Sequence, residues 1–131
     1  MAAIYHMCIV TDYEKALEAG TYLPPTYEAD GFIHATEDPS MLLDTGTHFY
    51  KSTVGAWTCM KIDVAKLASE VIYEAPMAVG NIEAKTYITK DKPEEPKFPH
   101  IYGPINTDSI IEVFPIERAE DGSFLSITGL C

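Results

Sequence analysis

Arginine is almost missing from this sequence: Arg118 is the only one, and Lys and Arg together number 9 against 20 Asp and Glu. A site that clamps phosphates with several guanidinium forks is therefore excluded. The net charge of -11 argues against a nucleic-acid groove. Cysteine is scarce as well. Cys8, Cys59 and Cys131 are odd in number and lack C-x-x-C spacing, which argues against a disulfide framework or a zinc ribbon. Cys8 and Cys59 lie in apolar runs and are expected to be buried free thiols. No stretch approaches the roughly 18 apolar residues of a membrane span. The N-terminus lacks a basic n-region followed by an apolar run, so a cytoplasmic setting without membrane contact is expected. No G-x-S-x-G, P-loop, G-x-G-x-x-G or H-E-x-x-H is present, which removes serine hydrolase, nucleotide triphosphatase, Rossmann and zincin readings.

What remains is a chain of 131 residues with 47% hydrophobic content, enough for one domain around one core. The apolar run 3–10 suits a buried strand. Thr11-Asp12-Tyr13-Glu14 reads as a capping box, opening a helix with Tyr13, Ala16 and Leu17 on one side and Gly20 as its stop. Tyr22-Leu23-Pro24-Pro25-Thr26-Tyr27 reads as an ordered loop, since Pro25 keeps Pro24 out of the helical region. Phe32 to Ala35 is a short strand entered through Gly31. A helix opens at Glu37-Asp38-Pro39 and runs towards Phe49, with Gly46 as a weak spot. Further strands are expected at 57–62, 71–73, 82–89 and 110–114, with a turn capped by Asp63 and a charged loop over 90–97. Asp121-Gly122 signals a hairpin that returns 124–127. The predicted class is α+β: a compact split β-sheet or sandwich of short strands with two or three short helices.

Three histidines stand in unusual settings: Ile4-Tyr5-His6-Met7, Gly31-Phe32-Ile33-His34-Ala35-Thr36 and Phe98-Pro99-His100-Ile101-Tyr102-Gly103-Pro104. Imidazole is the side chain most easily poised to move a proton near neutral pH. His6 reads either as a core histidine bonded to a backbone carbonyl or as a ring projecting into a cleft. Small neighbours around His34 suit close approach of a ligand. The third block reads as a rigid, proline-bounded loop whose His100 and Tyr102 point to one side if the segment is extended. His48 reads as peripheral. The long spacings between histidines are unspecific for a metal, and none is expected.

Taken together, these blocks resemble the family called domain of unknown function 952. The resemblance is carried by Ile4-Tyr5-His6, Leu17-Glu18-Ala19-Gly20-Thr21-Tyr22-Leu23-Pro24-Pro25, Gly31 to Thr36, and Phe98 to Ile105. It covers about 4–115 of a single domain 1–131, with a long segment at 78–97 and an added tail at 116–131. It implies an ADP-ribosyltransferase-like split sandwich that binds NAD, as substrate, in a cleft. On that resemblance His6 would contact a ribose and His34 would take the second strand position. The third, catalytic position would fall to Glu74 or to the His100/Tyr102 pair. His100, Tyr102, Thr36, Tyr5 and Phe32 would bind the ligand, with Tyr22 and Tyr27 as further walls. The implied reaction is cleavage of the nicotinamide–ribose bond. Two alternatives stand beside it: a non-catalytic ligand- or peptide-binding module of the same fold, and a His-lined metal-dependent hydrolase.

Overall fold

The structure, a computed structural model, describes residues 2–79, 82–83 and 97–130. The opening apolar run forms strand β1 (Ala3–Ile9), followed by helix α1 (Val10–Ala19), strand β2 (Thr21–Tyr22), the one-turn helix α2 (Tyr27–Asp30) and strand β3 (Ile33–His34). Helix α3 (Leu42–Tyr50) is entered through a 3-10 turn, and strands β4 (Trp57–Asp63) and β5 (Glu70–Glu74) follow. Strands β6 (Phe98–Tyr102), β7 (Ile105–Asn106), β8 (Ile110–Arg118) and β9 (Phe124–Ile127) complete the chain. The strand expected at 82–89 and the loop at 90–97 fall almost wholly outside the described residues.

The pairings are antiparallel and build a four-stranded sheet β1-β4-β8-β9, a three-stranded sheet β3-β6-β5 and a small ribbon β2-β7. Tyr5 and Thr36 exchange two backbone hydrogen bonds of 2.8 Å, an isolated bridge that joins the two larger sheets. The result is α+β, a curled antiparallel sheet with a few short helices. β1 is buried on both faces, which is why its sequence is apolar without alternation. Ile4 and Cys8 join a core with Ile33, Met60, Ile62 and Ile101. Tyr5 and Met7 point the other way, into a second core with Leu42, Trp57, Phe114, Phe124 and Ile127. The thiols of Cys8 and Cys59 are buried and free, and burial pushes Cys8 up to about 12. Cys131 is not among the described residues.

Several sequence expectations are corrected. Thr11 is not an N-cap: α1 begins one residue earlier, and its first turn has no side-chain cap. The reason is the neighbouring ladder, because β1 pairs as far as Ile9 with Trp57 and Val10 N–H then donates to Ala56 O at 2.9 Å. Leu17 is exposed and only Ala16 of α1 is buried. The segment 22–27 is not all loop, since Tyr22 pairs with Ile105 and Tyr27 starts α2. The block 98–104 is not a rigid loop but the central strand of its sheet, paired with β3 on one side and β5 on the other. Pro99 is tolerated there because its carbonyl accepts from Ala35 N–H past the last ladder pair with β3, so the missing N–H of its own faces a strand end. The tail is integral as well: β9 pairs with β8, and Phe124 and Ile127 are buried.

Gly46 is no weak spot either. A Cβ there would overlap the Phe124 ring and approach Met7 Sδ to 3.1 Å, so the missing side chain lets α3 lie against β9. Replacing it with Ala adds helix propensity of about 1 kcal/mol. The overlap with a buried ring costs more, about 2–3 kcal/mol, leaving a net loss of about 1–2 kcal/mol. Gly46→Ala is therefore expected to lower the urea midpoint at unchanged m-value, and adding Phe124→Leu to restore part of the loss.

Candidate functional site

Alternation along β1 puts His6 on the face of Ile4 and Cys8, where its ring meets the end of β3 and the β2 segment. His6 Nδ1–H donates to the His34 carbonyl at 2.6 Å. A carbonyl can only accept, so the proton sits on Nδ1 and the bare Nε2 accepts from the Tyr22 hydroxyl at 3.2 Å. Burial holds His6 down to about 4, so the ring is neutral at physiological pH. Both readings of His6 hold at once: it bonds a carbonyl, and it lines a cleft.

That cleft has a volume of about 130 Å³ and is bordered by His6, His34, Tyr22, Phe32, Trp57 and the Pro24-Pro25 turn. Asp12, in the first turn of α1, and Asp30 are the only ionic side chains among the described residues that border it. His34 is 6% exposed and packs against Phe49, Phe98 and His100, with ring centroids 5.5–5.6 Å away. Burial, then the neighbouring His100 and His6, hold it down to about 3.

His100 faces His34 directly in the β3–β6 register but stands behind the cleft wall, fully buried, with Phe32 over it at 4.3 Å. Its Nδ1 donates to Glu74 Oε1 at 2.9 Å, and Tyr102 donates its hydroxyl to the same oxygen. These bonds, Tyr102 first, hold the Glu74 carboxyl below the usual range, while burial lowers His100. Among the described residues, His100 Nε2 and Trp57 Nε1 are buried without a hydrogen-bond partner. The alternation expected for His100 and Tyr102 is the one found.

The structure thus brings His6, His34 and Phe32 to one cleft and gathers His100, Tyr102 and Glu74 into a second cluster behind it. Glu74 does not border the cleft. Tyr5 does not either, because β1 turns its side chain into the opposite core once His6 faces the cleft. Thr36 is 1% exposed, and its backbone serves the bridge to Tyr5. Tyr27 packs against the first core. His48 donates from Nε2 to the Glu83 carbonyl at 2.7 Å, away from the cleft. Among the described residues no three His, Cys, Asp or Glu side chains group as metal ligands, and His6 has both ring nitrogens engaged. No helix among them is long and apolar enough to cross a membrane. Sequence reading missed Asp12 and Trp57 as cleft residues. Asp12 carried a signal, an acidic residue in the first turn after the strand that bears His6.

Fold and site define a curled α+β domain with an aromatic, histidine-floored cleft at the junction of its sheets. The chain belongs to the family described as "Protein of unknown function (DUF952)", whose profile matches residues 7–113. It is similar in fold to the crystal structure of protein CC0527 from Caulobacter crescentus, at 17% identity and a TM-score of 0.68 over 94% of this chain and 93% of that one. The solution structure of CC0527 matches at 18% identity and a TM-score of 0.63, over 99% and 94%. Among curated proteins there is no match.

Proposed function

We propose that this domain is an ADP-ribosyltransferase-like binding protein that takes the nicotinamide–ribose end of NAD, or of a related ADP-ribose-type nucleotide, into the histidine-floored cleft. The observation that carries the reading is the pairing of aromatic walls with a floor of neutral imidazoles and a carboxylate at Asp12. The volume suits one six-membered ring, since an apolar cavity of about 150 Å³ takes up benzene. The nicotinamide ring of NAD is a planar cation, which aromatic faces and a carboxylate both favour. The pyrophosphate would remain outside, because Arg118 is committed elsewhere and the described cleft residues include no lysine.

Binding without turnover is the form the geometry favours. Glu74 is engaged by His100 and Tyr102 and does not border the cleft, so no carboxylate of the implied catalytic position faces the bound ring. Calorimetry with NAD, nicotinamide and ADP-ribose tests the reading. Heat is expected with NAD and nicotinamide, less with ADP-ribose, and a loss of roughly tenfold in affinity in His34→Ala, the scale of one or two lost contacts. No heat with any of the three would sink it. Mass spectrometry of NAD incubated with the protein separates binder from enzyme, and nicotinamide is expected to stay attached.

A further inference from the structure

We infer that the outer edge of β5 docks an extended basic peptide as an added strand, with two Lys or Arg side chains of that peptide paired to Glu70 and Glu74. No residue of 70–74 borders the cleft, so this docking is independent of the nucleotide reading.

β5 is an edge strand: it pairs with β6, and among the described residues nothing pairs with its other side. Alternate residues of such a strand turn both backbone groups outward, a template for another chain. The register puts Glu70, Ile72 and Glu74 on one face, opposite Tyr102, His100 and Phe98. Glu70 is exposed and Ile72 is 39% exposed, so this face offers an acid, an apolar group and an acid in succession. Four residues at about 3.3 Å each separate the two acids by about 13 Å. On the other face Tyr73 donates its hydroxyl to Glu37 Oε2 at 2.8 Å, which brings a third carboxylate beside the strand. Charges along a short edge also serve to keep other strands away. Glu74 goes beyond that role. His100 Nδ1 and the Tyr102 hydroxyl both donate to its Oε1, so the carboxylate is held in place with Oε2 left for an incoming donor. A charge that only repels needs no such fastening. A preformed acceptor gains from it, because its ordering is settled before the partner arrives. A second copy of the chain does not fit. The antiparallel pairing that uses the whole strand centres on Ile72 and sets Glu70 of one copy against Glu74 of the other, like charges directly opposite. Each copy also carries a net charge of -11. A peptide with Lys or Arg two residues either side of an apolar residue reverses the sign at both places, and opposite charges across strands stabilise the pair.

Fluorescence anisotropy of the intact protein with a labelled heptapeptide, Thr-Lys-Thr-Val-Thr-Lys-Thr, tests this. The peptide is expected to bind at low salt and to weaken as salt rises. Glutamate in place of both lysines should weaken binding by at least about tenfold, since two like-charge pairs replace two attractive ones. Glu70→Lys, a change at an exposed position, should weaken the lysine peptide by about fivefold and strengthen the peptide with one lysine changed to glutamate by a similar factor. N-methylation separates a docked strand from a cation held loosely on an acidic surface. Blocking a peptide amide of one alternate set should cost about tenfold, and blocking one of the other set little, because only every second amide faces β5. Equal affinity for the lysine and glutamate peptides overturns the docking. So do N-methylation losses without that alternation, an unchanged affinity in Glu70→Lys, and no binding at millimolar peptide in low salt. The peptide series uses the wild-type protein, so it decides the matter even where a Glu70 variant does not fold.

Discussion

Acidification from pH 7 to pH 4 is expected to unfold this protein, with most of the loss occurring before its carboxylates titrate. In the folded state burial holds His6 down to about 4 and His34 to about 3. In the unfolded chain both return to about 6.5. The unfolded state therefore takes up two protons that the folded state refuses, and stability rises with pH wherever the unfolded state binds more. The stability from these rings is complete above about pH 6.5 and is lost as pH falls towards 4. Each proton contributes a slope of about 1.4 kcal/mol per pH unit, so the pair removes on the order of 5 kcal/mol by pH 4. Small domains hold only about 5–15 kcal/mol in all. His100, lowered by its own burial, adds in the same direction. Glu74, depressed by Tyr102 and His100, acts in a lower window: its contribution is present above the ordinary carboxylate range and fades below it. Urea titrations at intervals between pH 7 and pH 4.5 give the slope directly. Between two and three protons per unfolding event are expected near pH 5, two from His6 and His34 and a further fraction from His100, and one fewer in His34→Phe, whose ring would join Phe49 and Phe98. A stability that stays flat from pH 7 to pH 5 would mean that the rings charge freely in the folded protein.

Removal of the Arg118 side chain is expected to be the most damaging substitution outside the two cores. Its guanidinium donates to the carbonyls of Thr53 at 2.8 Å, Gly55 at 2.9 Å, Tyr50 at 3.1 Å, Lys51 at 3.3 Å and Gly122 at 3.1 Å. It also lies over the Phe124 ring, 5.2 Å from its centre. Tyr50 and Lys51 end α3, so the cation sits where the helix leaves carbonyls unpaired and its dipole is negative. Gly122 makes the approach feasible: it adopts a φ of 96°, and a Cβ there would overlap the Lys51 carbonyl. A hydrogen bond to a charged donor is worth about 1.5–3 kcal/mol. Because water can serve part of the exposed set, Arg118→Ala should cost about 3 kcal/mol, lowering Tm by roughly 10 °C. Lysine has the charge but not the planar fork, and Arg118→Lys should recover less than half. A Tm change in Arg118→Ala within 2–3 °C, on the order of 0.5 kcal/mol, would show that solvent replaces the clamp. The same clamp holds the connection from the end of α3 to the start of β4, along which Tyr50, Thr53 and Trp57 border the cleft, so ligand affinity should fall alongside stability.

Much of this was legible in the sequence because it is written in local chemistry. Gly20 ends α1 with a left-handed φ of 84°, Asp63 accepts from Ala65 N–H at 3.0 Å, and Asp121-Gly122 turns the final hairpin. The two-residue alternation placed His100 and Tyr102 on one side, and there they meet Glu74. What was not legible depends on partners distant in sequence. Pro99 disguised the central strand β6, since only its neighbours show that the missing donor falls past the end of β3. Thr11 had the spacing of a capping box, but pairing of β1 with β4 overrode it. Arg118 belonged to no pattern, because its five acceptors are backbone carbonyls that any sequence would supply. The resemblance counts Tyr5 among the ligand walls beside His6, yet neighbours in a strand face opposite sides. The position of Glu74 behind the cleft depends on the β5–β6 register, which composition does not encode.

The bridge between Tyr5 and Thr36 sets the mechanics of the cleft. Two backbone hydrogen bonds form the main-chain seam between a four-stranded plate and a three-stranded one, and the His6 ring adds a fastening by reaching from the first plate to the His34 carbonyl of the second. Behind that seam the plates share one apolar core, with Ile4, Met60 and Ile62 of the first against Ile33 and Ile101 of the second. Seam and core together fix the plates against each other, so the cleft opens from a rigid frame and an occupant meets walls already in place.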